Sequence, residues 1–130
     1  MELVVDTSVL IAVVAREPAR DVLIRQTMGV ELVAPASVHW EIGNAFAAML
    51  KRRRVSLDLV YEALASYERI PLRYVEVPLE NALRLADELG IYAYDAYVIA
   101  CAQRQQCSLI SLDRGLTRAA ARAGITVLEV

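Results

Sequence analysis

Two cysteines and a single histidine are all this 130-residue chain offers to a soft metal. Cys101 and Cys107 form no CxxC pair and have no histidine beside them, so a zinc site is not expected. Two unpaired thiols suit a reducing, cytoplasmic setting. Only 5 glycines and 4 prolines are present, which excludes collagen-like and low-complexity chains. The chain also lacks a G-x-S-x-G elbow and a phosphate-cradling glycine loop, so nucleophilic and P-loop chemistries have no footing. No apolar run approaches the ~18 residues of a membrane span. The opening MELVVDTSVL carries Glu2 and Asp6 where a signal peptide needs positive charge and then a clean apolar run. It is expected to be a strand of the mature protein.

What is present is apolar substance: 57% of residues are hydrophobic, above the usual ~45–50%. Disorder is excluded, because this much apolar surface offsets chain entropy. The length fits one domain, residues 1–130. A formal net charge of −2 gives no general attraction to nucleic acid, so any basic surface must be local.

Short β-branched runs alternate with helical stretches throughout. Strands are predicted at Leu3–Val5, Glu31–Val33, Arg73–Val77, Ser108–Ser111 and Ile125–Leu128. Between them fall helices at Val9–Ala15, from Pro18 to about Met28, Ala36–Arg53, Ser56 to about Arg69, Leu79–Leu89, Tyr94–Gln105 and Arg114–Ala123. Pro35 and Pro78 stand where helices start, and Gly90 and Gly124 where they stop. That rhythm predicts α/β architecture: one parallel sheet of about five short strands with helices on both faces.

Four of the 16 acidic residues are placed unlike the rest. Asp6 and Asp113 each follow a strand, where open parallel sheets put their ligands; each also precedes a helix and could simply cap it. Asp95 lies in a helix's first turn within about 60° of Val98, Ile99 and Ala102, inside the core-facing stripe. A carboxylate there must cap, pair or bind something, because bare burial costs several kcal/mol. Glu41 lies roughly 85° from the centre of its helix's apolar face, at the rim of the buried stripe. It is either solvated or the edge of a cleft, and Asn44 one turn later could hydrogen-bond it. At about 6 Å separation each pair of such acids repels by roughly 2–3 kcal/mol. A cluster would therefore need a cation, and all-oxygen ligands select Mg²⁺ or Mn²⁺. Carboxylate-held Mg²⁺ acts on phosphate oxygens, which makes a phosphate ester or nucleic acid the natural substrate.

Two basic features admit a phosphate track or merely a favourable helix end and a solvated face. Lys51-Arg52-Arg53-Arg54 ends the helix that carries Glu41, and Arg114, Arg118 and Arg122 stripe the helix after Asp113. Trp40 falls about 175° from its helix's core face and reads as a protein-contact anchor. His39 reads as a surface residue.

The segments VVDTSVL, Glu41 with Asn44, YDAYVIACA at 94–102 and LISLDRGL at 109–116 resemble the PIN-domain family. Their order and spacing are most similar to VapC-type ribonuclease toxins of bacterial toxin–antitoxin pairs. The resemblance implies an Mg²⁺- or Mn²⁺-dependent endoribonuclease with Asp6, Glu41, Asp95 and Asp113 as catalytic, metal-holding acids. Ser8 and Ser111 become candidates for orienting water or a carboxylate, beside Asn44. Arg53, Arg114 and Arg118 become candidates for RNA contact. It also implies a cognate antitoxin and a homodimer. Two rivals stand beside it: a non-catalytic α/β binding module whose acids are helix caps, and a haloacid-dehalogenase-type phosphatase. The phosphatase is disfavoured by Ser8, where its pattern wants a second aspartate.

Overall fold

In the computed structural model, which describes residues 1–130, every strand runs in the same direction. The strands are β1 (Glu2–Val5), β2 (Glu31–Pro35), β3 (Leu72–Val75), β4 (Ser108–Ile110) and β5 (Val127–Leu128). They lie in the order β3-β2-β1-β4-β5. Leu3 pairs with Leu32 on one side and Ser108 on the other, so β1 is central. Leu3, Val4 and Val5 are fully buried, each contributing about 1.5–3 kcal/mol of apolar burial. Their side chains alternate: Leu3 and Val5 enter one core, Val4 the other.

The first core is roofed by α1 (Thr7–Val14), α2 (Arg20–Thr27), α3 (Ser37–Lys51) and α4 (Leu57–Glu68). The second lies under α5 (Leu79–Leu89), α6 (Ala93–Gln105) and α7 (Arg114–Arg122). Helix α1 is apolar nearly all round, and Val9, Leu10, Ile11, Ala12 and Val14 are all buried. That pattern fits a helix enclosed by its neighbours. Gly90 ends α5 at φ 66°, a left-handed cap that a residue with Cβ adopts only at a cost.

Boundaries depart from expectation in instructive places. Pro35 is not the start of a helix but the last residue of β2, paired with Val75, and α3 begins at Ser37. A terminal proline costs the strand no ladder bond that matters. Helix α2 starts at Arg20, after a turn over Pro18 and Ala19. Arg20 pairs with Asp21 at 3.6 Å. Both cysteines are free, and burial pushes the Cys101 thiol up to about 12. No helix is long and apolar enough to cross a membrane.

The fold fixes where a ligand can sit. From β1 the chain winds outward to β2 and β3, then returns to lay β4 and β5 on β1's other side. The carboxyl ends of β1 and β4 are thus the switch point, where turns diverge and leave a crevice.

Candidate acidic site at the sheet crest

Asp6 is the first residue after β1 and 6% exposed, a buried carboxylate at the switch point. Its Oδ1 accepts from Ser8 Oγ at 2.7 Å and from Val9 N at 3.2 Å, capping α1. Its Oδ2 accepts from Ser111 Oγ at 2.6 Å. Each serine is itself anchored: Leu112 N donates to Ser8 Oγ and Asp113 N to Ser111 Oγ, both at 3.0 Å. The β1 and β4 ends are thereby tied through one carboxylate. Burial raises the Asp6 pKa, partly offset by the hydrogen bonds from Ser111, Ser8 and Val9.

Asp113 is exposed and also caps a helix, its Oδ1 accepting from Leu116 N at 3.1 Å at the head of α7. Glu41 and Asp95 cap nothing. Neither α3 nor α6 has a side-chain cap, and no ion pair involves either residue. Glu41 is half-buried in the second turn of α3, and its carboxyl is pushed up to about 7 by burial, then by Asp6 and Asp95. Asp95 is half-buried in the first turn of α6 and raised by burial, then by Asp113 and Asp6. Beyond burial, Asp6 and Asp95 raise Glu41, Asp113 and Asp6 raise Asp95, and Asp113 raises Asp6, so the four carboxylates gather at one crest.

Glu41 opens into a cleft of about 270 Å³ lined by Thr7, Trp40, Glu41, Asn44, Ala45 and Tyr94. Within it Glu41 Oε2 and Thr7 Oγ1 are buried with no partner at hydrogen-bond distance, although the Thr7 hydroxyl lies near enough to Glu41 to lower its carboxyl against the larger raising effects. Asn44 lines the cleft but is exposed and does not form the expected bond to Glu41. Thr7 and Tyr94 were not among the residues singled out from the sequence. Each adjoins one that was, and adjacency to Asp6 and Asp95 was the signal available.

The donors are all carboxylate oxygens, one of them orphaned, with no basic side chain paired to them, and that chemistry fits a hard divalent cation. As placed, no three His, Cys, Asp or Glu side chains are arranged to hold an ion together.

The basic residues divide. Arg114 and Arg118 are exposed on α7, and Arg114 lines a hollow that also contains Ser111. Arg122 is not free: its Nη1 donates to Leu89 O at 3.3 Å, tying α7 to the end of α5. Arg53, expected to flank the acids, lies beyond the far end of α3 at φ 55°. The ten helical residues that follow Glu41, ending at Lys51, alone span about 15 Å of rise. Trp40 is 74% exposed and lies edge-on to His39, which is exposed and hydrogen-bonded to Tyr67.

The PIN domain family matches residues 3–122. Among solved structures, PAE2754 from Pyrobaculum aerophilum is similar at 26% identity and a TM-score of 0.75, over 98% of this chain and 83% of that one. VapBC2 from Rickettsia felis, crystallised with a DNA fragment from its promoter, is similar at 10% identity and a TM-score of 0.69, over 98% of each chain. None of the curated proteins matches at a significant level. With the family's match spanning nearly the whole length and the acids gathered at its switch point, this chain belongs to the PIN-domain family, whose members are nucleases that generally use divalent metal ions.

Proposed function

We propose that this PIN domain is a cytoplasmic endoribonuclease, dependent on Mg²⁺ or Mn²⁺, that serves as the toxin of a toxin–antitoxin pair. One observation carries the nuclease part: beyond burial, Asp6 and Asp95 raise the Glu41 pKa and Asp113 and Asp6 raise that of Asp95, while no basic side chain pairs with any of them. The likeness to the Rickettsia felis VapBC2 complex supports an antitoxin protein as partner. Exposed Trp40 supports a protein contact beside the site, with the antitoxin or with a second copy in a homodimer.

Asp6, Glu41, Asp95 and Asp113 would hold the cation. When bound, it supplies positive charge that neutralises the cluster and polarises a phosphate oxygen. The protein's own contribution is orientation. Ser8 and Ser111 fix both oxygens of Asp6, and the α1 and α7 caps fix Asp6 and Asp113 in place. Glu41 is partly protonated near neutral pH, so cation binding displaces a proton and strengthens as pH rises through about 7. Arg114 and Arg118 flank Asp113, where they meet the backbone phosphates of RNA.

Two of the acids are caps, as a non-catalytic binding module would have them. That reading leaves Glu41 and Asp95, which cap nothing, without a role. Incubating the purified chain with total RNA in Mg²⁺, Mn²⁺ or EDTA tests the proposal. Discrete fragments are expected with an ion and none in EDTA, and Asp95→Asn is expected to abolish cleavage. Intact RNA with both ions, or cleavage by Asp95→Asn, overturns it.

A further inference from the structure

Beside the acidic cleft lies a wider groove of about 570 Å³ across the ends of β2 and β3, within the range of ligand sites. The β2–α3 turn, the β3–α5 turn and α6 form its walls. Tyr94 is the one residue that lines both this groove and the acidic cleft, and it directly precedes Asp95. Its ring is 56% exposed and braced edge-on by Tyr97, with centroids 6.0 Å apart at 73°.

We infer that this groove is a nucleobase subsite, in which Tyr94 stacks the base of a nucleotide next to the scissile phosphate. The inference rests on the nuclease reading and specifies its substrate contact. The lining chemistry supports a flat, neutral, hydrogen-bonding occupant. Pro35, Val77, Pro78 and Leu79 make apolar walls, while Glu76 and Arg104 cancel in charge. A phosphate has no net attraction there. Ser37 also lines the groove, and its hydroxyl, buried without a hydrogen-bond partner, meets a base edge by rotating outward about χ1. A polynucleotide crossing the crest is further accommodated on the opposite side, where a hollow of about 510 Å³ is walled by Ser111 and Arg114. That side carries no aromatic ring, so base recognition falls on the Tyr94 side of the cut alone.

An RNA abasic scan tests this. The substrate is a short single-stranded oligoribonucleotide spanning a mapped cleavage position, with the base removed at one nucleotide at a time. Cleavage is followed with Mg²⁺ or Mn²⁺, and binding by anisotropy with Ca²⁺, which needs no turnover. For the unaltered protein, abasic substitution on one side of the cut is expected to raise KM on the order of tenfold, the loss of one base–aromatic stack. Tyr94→Ala is expected to raise KM similarly on the intact substrate and to lose the abasic penalty, because the two changes remove one contact. Tyr94→Phe keeps a ring and is expected to restore the penalty. Equal abasic penalties in the unaltered protein and Tyr94→Ala, or no sensitive position, overturn the subsite and return the groove to a polypeptide occupant. In that case cleavage that persists leaves the nuclease reading intact. If no RNA is cut, the abasic scan is run by Ca²⁺ anisotropy on an unmapped single-stranded oligoribonucleotide; the expected Tyr94 dependence there leaves the subsite standing while the nuclease reading fails.

Discussion

Replacing Glu41 by glutamine is expected to stabilise the metal-free protein at pH 8 and to do nothing for it at pH 4.5. The Glu41 carboxyl is pushed up from 4.5 to about 7, first by burial and then by Asp6 and Asp95. A raised carboxyl has the reverse sign from the usual native carboxylate. Below about pH 4.5 both folded and unfolded chains hold the proton, and the residue costs nothing. Between 4.5 and 7 only the folded chain holds it, so stability falls as pH rises. Above 7 the full penalty applies. At face value the shift corresponds to about 3 kcal/mol. The side chain is only half-buried, and water screens the repulsion, so about 1–2 kcal/mol is the expected size. For a chain of this length that is roughly 3–10 °C in Tm. Glutamine is nearly isosteric, and its amide keeps the contact that the carboxyl has with the Thr7 hydroxyl. The assay is a pair of thermal melts in EDTA across pH 4.5–8. With Mg²⁺ or Mn²⁺ added at pH 8 the order reverses, because the carboxylate then gains binding free energy that glutamine cannot match. A Glu41→Gln protein that melts lower than the original in EDTA at pH 8, or a difference that ignores pH, would refute the crowding of these acids.

Ser111→Ala removes the donor to Asp6 Oδ2 inside a buried site; a loss of about 1–3 kcal/mol is expected by denaturant melt. Calorimetric titration of the same variant should show Mn²⁺ affinity about tenfold weaker or worse. Asp113→Asn is expected to keep the α7 cap and so its melting temperature, while losing cleavage; Asp113→Ala should cost about 1 kcal/mol as well. Arg118→Ala is expected to weaken RNA binding and lower its salt slope by about one, and an unchanged slope would make that side chain a bystander.

The strands were legible because the parallel sheet buries both faces of its centre, and Leu3–Val5 reads as an unbroken apolar run for that reason. Caps and stops such as Ser56 and Gly90 were legible because their chemistry is local. Pro35 misled because proline is tolerated both at a helix start and at a strand end, and only its pairing with Val75 decides. Arg53 misled differently. Sharing a run with Glu41 implied nearness, whereas the ten residues of α3 that follow Glu41 carry the chain away from it before Arg53 is reached. Tyr94 escaped notice because an aromatic beside a core-facing acid carries no pattern of its own; its meaning comes from the groove that β2 and β3 complete.

The choice posed by Asp6, cap or ligand, proves to be a false alternative. A helix that starts at a strand's end must place a polar residue at the turn to satisfy its first N–H groups, and the switch point puts that residue at the crevice. Capping α1 uses one lone pair of Oδ1, and Ser8 and Ser111 take one each from Oδ1 and Oδ2. A carboxylate has about four acceptor sites, so capacity is left on Oδ2. The cap therefore holds the carboxylate still without exhausting it, which is what a site for a hard cation requires. Glu41 and Asp95 have no such second task, and at the crest only a proton or a bound cation relieves them. The division explains the geometry found at the crest: two acids anchored by the fold, and two held near them at the fold's expense.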